Sequence, residues 1–299
     1  MSNREIESIA IIGTGVIGTK IAWACVVNGL TVHLFDVQAS QLRRCVKCIT
    51  DWLLEDGVSI SETRMITDRL HCHESLSAAV NHVDLAFENV PELVELKTKV
   101  HQEIHEAMQP TALLGSNASS IVVSRMAQAS GRPGQFFNMN FTDPRKGQLV
   151  EIMIAPETLP GTLAAAESWA RKIGMVPIVT RKEIMGYTFN RIWRAIKKES
   201  LFLANEGYAD PEDIDRAFMM TFGTSIGPFG MMDEVGLNSI LRVEENYFAE
   251  SGDPSDRPPR ILTDLVAAGH LGVQSGRGFY TYPGPAYQRP EWLKGDGEK

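Results

Sequence analysis

Residues 8–18, SIAIIGTGVIG, run from a short apolar segment straight into Gly13-Thr14-Gly15-Val16-Ile17-Gly18, and few patterns leave a chain less choice of fold. SIAII reads as a buried strand, KIAWACVVNG as a helix ending at Gly29, and TVHLF as a second strand leading to Asp36. Gly13 permits the tight turn, Gly15 lets backbone approach a pyrophosphate, and Gly18 lets helix and strand pack closely. The phosphates would rest on the helix N-terminus, against the backbone of Val16 and Ile17. A bare G-x-G-x-x-G is a weak signal, and a glycine-rich turn with no ligand is its plain alternative. Here it lies between strand and helix, with an acid 18 residues after the last glycine, which is the context the motif requires. Asp36 is suited to accept hydrogen bonds from a ribose diol and to repel a 2′-phosphate, so NAD(H) is expected over NADP(H).

The alternation continues. Helices are expected near 39–55 and 61–68, then a short strand at LHC and another at VDLAFEN. ELVELKTKVHQEIHEAM reads as an amphipathic helix, TALLGSN as a strand and IVVSRMAQA as a helix. Such order implies right-handed crossovers and a doubly wound, mainly parallel α/β sheet of the Rossmann type. The ligand crevice is then expected at the carboxyl ends of the strands. Two segments end there, PEL (Pro91–Leu93) and SNASS (Ser116–Ser120), and Asn117 in the second is a candidate contact to a nicotinamide ribose. From Gly186 the texture turns helical: YTFNRIWRAIKKESLFLANEGYA, PEDIDRAFMMTFG, and stretches around 229–250 and 257–270. Strand signals return only at GRGFYTY, and the tail after Tyr282 reads as loose. The expected division is 1–186 for the nucleotide domain and 187–299 for a mainly α-helical C-terminal domain.

Composition sets the setting. A formal charge of -8 with no basic run argues against a nucleic-acid partner. No apolar stretch at the start is long enough for a signal peptide, and no 18-residue apolar run follows, so no membrane partner is expected. Four cysteines without a secretory signal fit reduced thiols in a cytoplasm. Cys45 and Cys48 form a C-x-x-C inside a helical pattern with no second pair at zinc spacing, so two unrelated helix residues are expected and no metal.

SNASS, FFNMNFTDPRKGQLVEI, GYTFNR, GYADPEDIDRA, GPFGMMDEVGLN and GRGFYTY, in this order, resemble the L-3-hydroxyacyl-CoA dehydrogenase family, over residues 8 to about 282. The resemblance implies NAD-dependent interconversion of a hydroxyl and a carbonyl on a 3-hydroxyacyl-type substrate, and a homodimer formed through the helical domain. Position by position it puts Gly13, Gly15, Gly18 and Asp36 at the NAD site, with Glu92 and Lys97 on the nicotinamide side. Ser119 matches the serine that hydrogen-bonds the substrate oxygen, and Glu151 the carboxylate that orients the catalytic histidine. Asn190 matches the asparagine that steadies histidine and substrate. Each has a plainer reading: Ser119 as a helix cap, Glu151 as an exposed strand glutamate, Asn190 as a helix-end contact.

The family writes its histidine in a stretch like H-F-F-N-P, and NMNFTDP aligns with it so that Asn140 stands at the histidine. Ser119 to Asn140 is 21 residues and Asn140 to Asn190 is 50, both as in the family, whereas Asn140 to Glu151 is 11, one fewer. Placing Gln135 there instead requires an insertion of four, and none of the seven histidines lies between His105 and His270. The plainer reading of Asn140 is a loop asparagine bonded to its own backbone.

In the family's reaction hydride leaves the carbinol carbon while histidine takes the hydroxyl proton, which an amide cannot do. Losing such acid–base catalysis costs about 10²–10⁴ in rate. Asp143, Glu151, or a water held by Ser119 and Asn140 are the candidate replacements; a substrate needing little help is another answer. The alternative class is an NAD(H)-binding regulatory or accessory protein. For the substrate, Arg43, Arg44 and Lys47 offer a modest cationic group for CoA phosphates, with a solvated helix face as the plainer and favoured reading. The stretch from Asp36 to His71 is shorter than in true hydroxyacyl-CoA enzymes, which favours a smaller free β-hydroxy or β-keto acid, or a diketone. Arg145, Lys146, Arg191 and Arg194 are then candidates for holding a carboxylate, with plain surface charges as the equal alternative.

Overall fold

A computed structural model describes residues 5–295. The chain divides into two compact units, meeting in sequence at Phe189 and Asn190.

The first unit is built on one sheet of eight strands: β1 (Ser8–Ile12), β2 (Thr31–Phe35), β3 (Leu70–Cys72), β4 (Leu85–Glu88), β5 (Leu113–Ser116), β6 (Phe136–Phe141), β7 (Leu149–Met153) and β8 (Val176–Thr180). Their order across the sheet is β3-β2-β1-β4-β5-β6-β7-β8. Every neighbouring pair is parallel except β6 and β7, which are antiparallel and joined by the connection 142–148. Helices cover both faces, as a sheet buried on both sides demands. Helices α1 (Val16–Val27), α2 (Ala39–Glu55) and α7 (Pro160–Lys172) pack on a cluster that includes Ile9, Ile11, Leu34, Phe87, Phe141 and Trp169. On the other face, α4 (Leu76–Val80), α5 (Val94–Ala107) and α6 (Ser124–Ala127) enclose Ala10, Ile12, Ala86, Leu114 and Phe136. The remaining helix, α3 (Ile60–Thr67), starts with a capping box in which Ser59 and Glu62 satisfy each other's backbone.

The second unit takes most of α8 (Tyr187–Asn205), then α9 (Pro211–Phe222), α10 (Pro228–Val235), α11 (Leu237–Ser251), α12 (Arg260–Ala267) and the short α13 (Pro290–Leu293). Its core joins Leu201, Met219, Phe229, Met232, Leu262, Tyr280 and Trp292.

Four expectations are corrected. IVVSRMAQA supplies only the four residues of α6, because two β-branched valines and small residues give its start little helix propensity. The stretch 229–250 is two helices, broken at Gly236, which sits at φ +95°. GRGFYTY carries isolated bridges and no strand; the backbone N–H groups of Phe279 and Tyr280 are bonded by the buried carboxylate of Asp233 instead. The tail is not loose through residue 295: Tyr287 and Trp292 are buried, and Trp292 Nε1 donates to Glu212 at 2.9 Å. Residues 296–299 lie outside the described residues.

Candidate active site

The glycine turn leaves β1 at Gly13, whose φ of +92° is open only to glycine without strain. A side chain at Gly18 would bring its Cβ to 2.0 Å from the carbonyl oxygen of Gly13, so this glycine is required by strand–helix contact. Gly15 has no atom within 4 Å of where a Cβ would point, and that open space is the approach a ligand needs. No side chain caps α1, so the N–H groups of its first turn, at Val16 and Ile17, remain donors for an anion. Asp36 follows β2; its Oδ2 accepts from the backbone N–H and hydroxyl of Thr14 (2.8 and 3.1 Å), and Oδ1 from Gln38 N–H at 2.9 Å. A cleft of about 480 Å³ lies between these groups and the end of β4, lined by Gly13, Gly15, Asp36, Val37, Asn89 and Val90. It stands at the point where the strand order reverses, between β1 and β4. Open glycine, free helix N-terminus and a carboxylate on the next strand together fit a dinucleotide. A cavity of about 720 Å³ lies within the helical unit, between α8 and residues 254–260, and contains none of the expected site residues.

Beyond β4 and β5 the site is held by carboxylates. Glu92 Oε1 accepts the backbone N–H of Ser119 and Ser120 at 2.8 and 2.7 Å and the Ser120 hydroxyl at 2.9 Å. The Ser119 hydroxyl is only at 3.4 Å, too long to occupy it, so that group remains able to bind something else. Lys97 is 1% exposed and donates to Glu88 Oε1 (2.8 Å) and Val90 carbonyl oxygen (3.1 Å), with Glu92 Oε2 at 3.5 Å. Lys97 thus pairs with both Glu88 and Glu92. Asn117 uses its side-chain oxygen to accept Phe141 N–H, tying the end of β5 to β6.

Beneath lies a network the sequence reading missed. Glu88, at the end of the apolar strand β4, is fully buried with His101 Nε2 at 2.9 Å and Ser116 Oγ at 2.7 Å on its Oε2. Burial raises the Glu88 carboxyl, but the His101 bond and the charge of Lys97 outweigh it and hold the group below its ordinary range. A signal existed: Lys97, His101 and Ile104 share the buried face of α5, and charge at that spacing implies a buried partner.

Asn140 is not in a loop. It lies on β6, 8% exposed, directly across the antiparallel pair from Glu151 on β7. Cross-strand partners have Cβ atoms about 4.5–5.5 Å apart and project to the same face. Glu151 is buried, 1% exposed. Its Oε1 accepts the N–H groups of Thr188 and Phe189, each at 2.9 Å, in the first turn of α8. Its Oε2 is buried with no hydrogen-bond partner, so the Asn140 amide does not reach it. Asn190 follows on α8 as the first residue of the second unit.

Tyr187 opens that helix at φ +55°, the one non-glycine residue with positive φ among the described residues. Such a conformation in a bulky residue is uncommon and persists only where the surroundings impose it. Here the ring is buried and its hydroxyl donates to Ala118 carbonyl oxygen at 2.8 Å, one residue before Ser119. Burial first, then the charges of Glu92 and Glu151, push the phenol far above its ordinary value, so it stays neutral.

Three candidate charges are otherwise engaged. Asp143 is ion-paired with Lys20. Partial burial raises its carboxyl, but the Lys20 bond, the Arg145 N–H and the charges of Lys20 and Lys146 hold it below its usual range. Arg145 makes paired 3.1 Å bonds to Asp56 and lies between the rings of Trp23 and Trp52, 4.8 Å from each. Arg194 is bonded to Glu244 and Asp256. Lys146 and Arg191 are exposed, as are Arg43 and Arg44, while Lys47 pairs with Asp51. All four cysteines are free, and no cluster of three metal-ligating side chains occurs among the described residues.

The strand order, glycine turn and carboxylate at the second strand define a dinucleotide-binding domain joined to a helical unit, the build of an NAD-dependent oxidoreductase. The model of the 3-hydroxyacyl-CoA dehydrogenase NAD binding domain matches residues 8–184 and that of the C-terminal domain matches 186–282; the chain belongs to this family. It is 31% identical to a probable 3-hydroxybutyryl-CoA dehydrogenase of Deinococcus radiodurans, over 91% of this chain and 99% of that one. It is also 28% identical to the 5-formyl-3-hydroxy-2-methylpyridine 4-carboxylate 5-dehydrogenase of Mesorhizobium japonicum, over 93% and 91% of the two chains. Among solved structures, the (S)-3-hydroxybutyryl-CoA dehydrogenase of Ralstonia eutropha superposes with a TM-score of 0.85 at 30% identity, over 93% of this chain and all of that one (100%). The cofactor of the first unit is NAD.

Proposed function

We propose that the chain is an NAD-dependent oxidoreductase that interconverts a hydroxyl and a carbonyl on a 3-hydroxyacyl-type substrate, with proton transfer that does not use histidine. The observation that carries this reading is the Asn140–Glu151 pair: the neighbours of the missing imidazole are in place, and the carboxylate oxygen it would occupy is empty of any protein donor. Gly13, Gly15, Val16, Ile17, Gly18 and Asp36 hold the pyrophosphate and adenosine ribose, while Glu92, Lys97 and Asn117 shape the nicotinamide side. NAD supplies the hydride acceptor when bound. Ser119 orients the substrate oxygen with its weakly engaged hydroxyl and Asn140 donates an amide hydrogen bond there; Asn190 is assigned by resemblance alone.

Relatives are named for CoA esters and for a small pyridine carboxylate, and the substrate is drawn from that range. Neither Arg145 nor Arg194 is free to hold a carboxylate, which leaves Lys146 and Arg191 as the candidates from sequence. A homodimer through the helical unit and a cytoplasmic setting complete the reading. No described helix is long and apolar enough to cross a membrane.

NADH consumption with acetoacetyl-CoA, free acetoacetate and a simple diketone in parallel tests this. Turnover of any one supports the reading, and their order separates CoA ester from free acid. Binding of NADH with no turnover of all three would favour the alternative of a non-catalytic NAD(H)-binding protein, for which the absence of a histidine is the specific argument.

A further inference from the structure

Glu151 Oε2 is a buried carboxylate oxygen with no donor, on a residue whose other oxygen takes two backbone N–H groups. An unsatisfied buried polar atom is costly, and more so on a charged group, so such atoms mark a place where something else binds. Three observations say what. Its neighbour across the strand pair is an amide, which carries N–H donors and cannot itself accept a proton in ordinary catalysis. Asn140 is the more exposed of the two, at 8% against 1%, so of the pair the amide is the one nearer to solvent. The other nearby carboxylate in sequence, Asp143, is closed off by Lys20.

We infer that Glu151, in the dehydrogenase reading given above on which this rests, is the proton acceptor, through one water held between Asn140 and Oε2. The water accepts a hydrogen bond from Asn140 Nδ2 and donates one to Oε2. In the oxidative direction the substrate O–H bond breaks and its proton passes to this water, which gives a proton to Oε2. The carbinol C–H electron pair leaves as hydride to NAD⁺. The products are the carbonyl compound, NADH and a neutral Glu151 carboxyl, which returns its proton to solvent. The two N–H groups on Oε1 fix the carboxyl so that only Oε2 faces this route.

Glu151→Gln keeps an oxygen for Thr188 and Phe189 and nearly the same volume, but cannot take the proton. Its kcat is expected to fall by about 10²–10⁴, the loss typical of general acid–base catalysis, with the Kd for NADH unchanged within about two-fold on the positional argument. The wild-type solvent isotope effect should follow a curved proton inventory, two protons moving together, and Glu151→Gln should lose that curvature. A second readout needs no turnover. In Asn140→His the new imidazole faces Oε2, so its Nδ1–H proton should appear strongly downfield by NMR and disappear in Asn140→His/Glu151→Gln. A Glu151→Gln variant that retains kcat and inventory, or an Asn140→His spectrum without that proton, would overturn the assignment of Glu151 and leave the oxidoreductase reading standing. A wild-type protein that binds NADH and turns over none of the three substrates would instead overturn that reading, and this inference with it.

Discussion

At residue 140 the proposed site has an amide where the resemblance puts the family's acid–base histidine, directly across the strand pair from Glu151. The exchange is legible in sequence because the spacings to Ser119 and Asn190 match the family. That Asn140 lies on a strand was not visible: FFNMNF holds two asparagines in a run that reads as a loop, and burial on a six-residue strand overrides their weak β propensity. The shorter connection between Asn140 and Glu151 is harmless because the strand register, not the loop, sets the two residues face to face. Tyr187 was illegible for a different reason, since positive φ in a non-glycine residue is imposed by tertiary contacts. Its hydroxyl links Ala118 to the helix that caps Glu151. Tyr187→Phe should therefore raise KM for the carbonyl substrate several-fold, on the order of the 1 kcal/mol typical of one hydrogen bond, with NADH affinity unaltered. Steady-state kinetics beside an NADH fluorescence titration would separate these; a change confined to NADH binding would contradict the role.

At the scale of elements, the β1–α1 turn was readable almost in full, because each glycine answers to a local rule. Gly18→Ala forces a Cβ against the Gly13 carbonyl oxygen at 2.0 Å, so turn or helix must shift. NADH affinity should drop by more than about ten-fold (1.4 kcal/mol per decade), read by fluorescence quenching, whereas Gly15→Ala leaves the fold intact and obstructs only the ligand. The β2–β3 edge is a second case. His33, His71 and His73 share one face there, with His33 Nδ1 2.8 Å from His73 Nε2. Burial, then the neighbouring charges of His73, His71 and His82, lower His33 to about 4 from an ordinary 6.5. A lowered value means the folded state binds fewer protons across that interval, so stability is lost as pH falls from 6.5 toward 4. The protection factors of the Val32 and Leu34 amides, corrected for the intrinsic pH dependence of exchange, should fall over this window, and His33→Gln should remove much of the dependence.

Across the whole molecule, the alternation of strand and helix made the first unit legible, while the second unit's tail misled because proline, glycine and charge usually mean disorder. Two buried aromatic residues, Tyr287 and Trp292, and the Trp292 bond to Glu212 anchor it, while carboxylates that no periodicity reveals fix the segment before it: Asp215 accepts Phe229 N–H, Gly230 N–H and Tyr280 O–H, and Asp233 accepts Tyr282 O–H as well as backbone. Burial raises Asp215 to about 6, against the pull of those bonds and with a push from Asp233. A raised carboxyl has the opposite sign to His33: its folded form binds protons more tightly, so its contribution to stability is lost as pH rises from about 4 to about 6. The two units should thus answer acid in opposite directions, the first loosening at the β2–β3 edge while the second tightens. Comparing thermal unfolding of wild type and Asp215→Asn from pH 4 to 7 checks this; identical slopes would exclude Asp215 as the source.

In the proposed reaction hydride crosses a site that has no histidine. Deuterium transfer tests it most directly: wild-type protein is incubated with NADH deuterated at C4 and each of the three carbonyl compounds, and the product is weighed by mass spectrometry. The wild-type protein should yield a product carrying one deuterium at the carbinol carbon. Label transfer by Asn140→His alone, with the wild type binding NADH and transferring none, would contradict it.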